Sequence, residues 1–161
     1  MKLFSKNEID GTRAYFRNSG FQEVPVQLDS RTFSYFVLPQ VLEPSLLDFV
    51  FRCTGNISDG FVFGISDHVD ERSRPYAVAH EYIEFTEIGI NTPQRCLQAL
   101  KEELQLVPPE IKKGHILMRR DFFKNLLVYC LDKESYTQED LHEFQSSRDH
   151  LERLVEGSSY D

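Results

Sequence analysis

A chain of 161 residues with 40% apolar and 27% charged content has the composition of a folded globular protein and is too apolar to stay disordered. Its net charge of −8 argues against nucleic acid or an anionic membrane as a general partner, because both repel it. Three cysteines, at 53, 96 and 130, are odd in number, widely spaced and without a C-x-x-C, which argues against a disulfide framework and a cysteine-based zinc site.

Reduced thiols fit a cytoplasmic protein best. The stretch from Met1 to Glu8 has no apolar core of the kind a secretory signal needs. The most apolar region, Tyr35 to Cys53, is broken by Pro39, Glu43, Pro44 and Asp48, so it is not a membrane span. Residues 1–161 read most simply as one globular domain, and 13 Phe with 7 Tyr supply its core.

In chain order, Asn7 to Asn18 reads as a short helix stopped by Gly20. Gln22 to Leu28 contains Pro25 and suggests an edge strand. Thr32 to Leu38 is aromatic and β-branched and reads as a second strand. Pro44 to Cys53 reads as a helix with proline in its first turn. Gly60 to Ser66 is the clearest strand, with Phe61, Phe63 and Ile65 on one face. A polar loop, Asp67 to Arg74, leads to a helix opened by Pro75 and ended by Gly89. Thr92-Pro93 starts a helix to about Leu106, and Pro108-Pro109 starts a long one to about Leu131. Thr137 and Asp140 have capping-box spacing and open the last helix. The expected fold is α+β: a mixed or antiparallel sheet of three to four strands in the N-terminal half, covered by about six helices.

The segment that carries chemistry is His80-Glu81-Tyr82-Ile83-Glu84. On a helix, Val78, Tyr82, Phe85 and Ile88 form one stripe, while His80, Glu84 and Glu87 form another. Two ligands four residues apart on one face can hold one ion, and zinc accepts both imidazole nitrogen and carboxylate oxygen. The bland alternative is a hydrogen-bonded His80 beside a solvated acidic face of Glu81, Glu84 and Glu87.

A clean strand, a short loop and a helix bearing His80-Glu81-x-x-Glu84 resemble the edge strand and active-site helix of zincin metallopeptidases, over about 30 residues. The resemblance implies a zincin-like arrangement, a zinc cofactor with His80 and Glu84 as ligands, and Glu81 as the general base acting on metal-bound water. Glu84 departs from the family's second histidine. The third ligand is unassigned, with Glu87 on the same helix and His115 on the long helix as candidates. The function this implies is a metal-dependent, peptidase-like hydrolase or a degenerate non-catalytic relative.

Three other features carry less. Asp67-His68-x-Asp70-Glu71 reads as a polar turn, or as ligands shared with His80 if the fold brings His68 against it. Phe122-Phe123 and Leu126-Leu127 give the long helix an apolar surface suited to core packing or to a partner. From Lys112 to Lys124 there are five basic residues against one acid, and from Glu134 to Asp161 eight acids against two arginines. These read as solvated helix faces attracting each other. The acidic tail also supports the alternative function, a non-enzymatic inhibitor, immunity or regulatory protein that binds a protein or peptide partner.

Overall fold

The computed structural model describes residues 13–39, 61–89, 91–131, 134 and 136–157, and residues 3–4 and 48–53 by their backbone. The fold is α+β, and the chain divides into two compact units, Met1–Tyr82 and Ile83–Asp161.

The first unit is built on a five-stranded mixed sheet. Its strands are β1 (Leu3–Phe4), β2 (Glu23–Leu28), β3 (Arg31–Leu38), β4 (Asp48–Cys53) and β5 (Phe61–Ser66), in the spatial order β1-β4-β5-β3-β2. β2 and β3 form a hairpin, β5 runs parallel to β3 and antiparallel to β4, and β1 runs parallel to β4. Pro25 falls on β2, the edge strand, where its missing N–H disrupts least.

Pro44 to Cys53 does not form the expected helix: its second half, Asp48–Cys53, is β4, and residues 40–47 lie outside the described part. The run Phe49-Val50-Phe51 is aromatic and β-branched, and Val50 and Phe51 pair with Phe63 and Val62 of β5. Cross-strand pairing outweighed a local proline signal. That strand and β1 are why the sheet has more strands than the sequence suggests.

β5 is central, so its residues are buried on both faces. On one side Phe36, Leu38 and Val62 pack with Phe16, which lies on the helix α1 (residues 13–18), and with Phe21. Rings on successive elements meet on the other side: Phe33 stacks on Tyr82 at 4.9 Å, and Phe63 stands edge-on to Tyr82 at 6.2 Å. Tyr82, one residue of the stripe read from the sequence, lies on α2 (Arg74–Ile83) and packs that helix on the sheet. Glu23 ties α1 to the edge strand: Arg17 donates to it from Nε and Nη2 at 2.8 and 3.1 Å, and Ser34 Oγ donates at 3.1 Å. These bonds hold its carboxyl below the ordinary carboxylate range.

α2 continues directly into a five-residue π-helical turn, Glu84–Ile88, ended by Gly89 at φ 95°. The division between the units therefore falls inside an unbroken helical run. In the second unit follow α3 (Arg95–Leu106), α4 (Pro109–Leu131) and α5 (Gln138–Glu156). Phe122, Phe123, Leu126 and Leu127 of α4 are all buried, in keeping with core packing. α5 opens with a complete capping box: Thr137 Oγ1 accepts from Asp140 N, and Asp140 accepts from Thr137 N at 2.8 Å.

Candidate metal centre

The helical run 74–88 places His80 one turn before Glu84, and both are buried, His80 at 2% and Glu84 at 6% exposure. Burial of Glu84 overturns the solvated acidic face at that position. Glu84 is the first residue of the π-helical turn. Such turns cost helical hydrogen-bond geometry and occur often at functional sites.

Cys96, on the first turn of α3, completes a group. His80, Glu84 and Cys96 each offer one ligand atom, and these atoms all lie within 4.8 Å of one another. Cys96 is 2% exposed. Imidazole, carboxylate and thiolate are all established zinc ligands, with bond lengths of about 2.0–2.3 Å. Tetrahedral coordination at those lengths sets ligand atoms roughly 3.4–3.7 Å apart. A contraction of at most about 1.4 Å would close the group around an ion.

The other residues singled out from the sequence stand apart from it. Glu87 is exposed, and Glu81 is half-buried beside His80. His68 is exposed and lies 2.8 Å from Asp67 through Nδ1. His115 belongs to a second, fully buried cluster: its Nε2 lies 2.6 Å from Glu103 Oε1, and Arg119 Nε lies 3.0 Å from the same oxygen. All three of these residues are 0% exposed. The Arg119 guanidinium also sits over the Phe122 ring at 4.7 Å.

Within the second unit, Glu84 and Cys96 have a polar surround. Arg95 Nε donates to Glu84 Oε1 at 3.0 Å, and its guanidinium lies over the Phe85 ring at 5.0 Å. α3 begins without a local side-chain cap, since Gln94 is left-handed at φ 57° and makes no capping bond. The carboxylate of Glu143 on α5 takes that role by accepting from Arg95 N at 3.1 Å. Burial pushes the Glu143 carboxyl up, and the Arg95 N–H pulls it partly back. Also on α5, the buried Ser147 Oγ donates to Cys96 Sγ at 3.4 Å.

The charged stretches are largely occupied within the chain. Lys124 pairs with Glu152 at 2.8 Å, Arg120 with Asp121 at 3.2 Å and Arg148 with Asp149 at 2.9 Å. Asp140 serves the capping box and Glu143 the start of α3. None of the helices in the described residues is long and apolar enough to cross a membrane.

Sequence reasoning missed Cys96 because its partner ligands lie on a different helix, and spacing along a chain does not report helix–helix packing. No family model matches the chain, and neither a curated protein nor a solved structure matches it either.

Proposed function

We propose that this chain is a binding protein for one divalent ion of the zinc type, a non-catalytic variation on the zincin-like helix. His80, Glu84 and Cys96 would be the ligands. The observation that carries this reading is the convergence of three different ligand types, all buried, within 4.8 Å. A thiolate and an imidazole favour zinc or cobalt over magnesium and calcium, which prefer oxygen alone. When bound, such an ion supplies a charged cross-link between the three side chains.

Two features support binding over hydrolysis. A hydrolytic centre keeps one coordination position open to water and substrate, whereas these three ligands are each at most 6% exposed. Arg95 also adds a fixed positive charge 3.0 Å from Glu84 Oε1, which already engages one oxygen of that carboxylate. The acidic interaction reading draws less support, because four of the six acids on α5 already have partners inside the chain.

Metal content and a cobalt titration of the purified, chelator-stripped chain test this. One equivalent of zinc or cobalt is expected, with a thiolate-to-cobalt charge-transfer band that disappears in Cys96→Ala. Glu81→Gln should leave uptake unchanged. Absence of uptake refutes the proposal, and zinc-dependent peptide cleavage lost in Glu81→Gln would replace it with the hydrolase reading.

A further inference from the structure

Two side chains one turn apart on α5 reach the first turn of α3: Glu143 accepts from Arg95 N at 3.1 Å, and Ser147 Oγ donates to Cys96 Sγ at 3.4 Å. Ser147 is 0% exposed, so its hydroxyl was taken out of water to make this contact. Arg95 in turn donates to Glu84. Two of the three candidate ligands are thus oriented by a chain of bonds that begins on α5.

From this arrangement we infer that α5 is the outer shell of the metal centre. Ser147 positions the Cys96 sulfur, and Glu143 fixes the Arg95 backbone whose side chain orients Glu84. The inference rests on the metal reading above and adds to it a regulation: occupancy and the docking of α5 are linked. A metal-bound cysteine is a thiolate, and a hydrogen bond to an ionised acceptor is roughly twice as strong as one to a neutral acceptor. Binding an ion at Cys96 therefore tightens the Ser147 bond, and by linkage a firmly docked α5 raises affinity for the ion. Both residues are positioning residues, since neither is placed to touch the ion.

The test uses the full chain with cobalt and zinc as probes. In Ser147→Ala the affinity for cobalt should fall about 10–100-fold, the usual range for outer-shell partners. The thiolate-to-cobalt band should also move to longer wavelength, because losing the hydrogen bond raises the energy of the sulfur electrons. A purely structural role for Ser147 would not move that band. Unchanged affinity and an unchanged band in folded Ser147→Ala overturn the inference. The wild-type chain gives an independent measurement. Saturating zinc should slow amide hydrogen exchange in Gln138–Glu156, and no slowing overturns the linkage even if Ser147→Ala fails to fold. Wild-type protein that takes up no metal defeats the function reading as well, whereas uptake indifferent to α5 defeats this inference alone.

Discussion

Glu84 and Glu103 are both buried carboxylates in the unit Ile83–Asp161, and each lies 3.0 Å from an arginine Nε whose guanidinium rests on a phenylalanine ring. They differ in what the remaining polar groups do. At Glu103, His115 and Arg119 converge on a single carboxylate oxygen, and all three residues are fully buried. The carboxylate is the hub of a buried tie between α3 and α4. At Glu84 the arginine is 15% exposed, and an imidazole and a thiol supply two further ligand types with their atoms inside 4.8 Å. A buried Glu–Arg pair is thus a structural device in itself. An imidazole and a thiol beside it are what support the proposed metal site.

The largest expected effect separates the two. Glu103→Ala leaves Arg119 and His115 buried without their carboxylate, which should cost about 3–5 kcal/mol of stability in urea unfolding. Replacing all three by apolar residues of similar volume should recover most of that loss. The Glu103 variant should keep wild-type cobalt affinity in whatever fraction stays folded. A weakened affinity there would break the distinction between the two carboxylates. Cys96→Ala should do the reverse. It should lower cobalt affinity by roughly 100-fold or more, beyond the range of outer-shell residues, as read by titration. Its stability loss without metal should be much smaller than that of Glu103→Ala, because removing a thiol leaves no buried charge behind.

The contrast also shows which signals a sequence carries. α3 has an apolar stripe at 96, 99, 100, 103, 104 and 107, and Glu103 sits within it, all six being buried. A charged residue on such a stripe announces a buried partner, and His115 with Arg119 at i, i+4 on the next helix was the matching signal. From the sequence His115 is instead one of two candidates for a third metal ligand, because a histidine's residue type does not say which partner it will meet. His80 and Glu84 were legible through helical spacing, whereas Cys96 depends on how α3 packs against the π-helical turn. Proline and glycine punctuation located α2, α3, α4 and α5 well, since caps and stops are local. It misplaced Asp48–Cys53, whose state is set by strand partners distant in sequence.

A smaller effect sharpens the role of α5. Thr137→Ala removes the acceptor for Asp140 N in the capping box, and caps of this kind contribute about 1 kcal/mol. If α5 docking and metal occupancy are linked, Thr137→Ala should also lower cobalt affinity slightly, by less than Ser147→Ala does. A cap loss that reduces stability while leaving cobalt affinity at the wild-type value would separate α5 folding from the centre and narrow the linkage to Ser147 itself.

The smallest expected effect concerns His150, half-buried on α5. Burial holds its imidazole below the ordinary 6.5, and the Lys101 and Arg153 charges add to the depression. The neutral form is therefore favoured by folding, and the unfolded chain binds the proton more readily. As pH falls through about 6.5 the unfolded state gains that proton first, so stability is lost until the depressed folded value is reached and is constant below it. The raised Glu143 carboxyl works in the opposite direction nearer the carboxylate range, so the comparison has to be with a variant at position 150. In chelator-treated protein, the urea midpoint should drop less between about pH 7.5 and about pH 5.5 in His150→Gln than in the wild type. An equal drop in both would mean that His150 contributes nothing to the acid sensitivity of the chain.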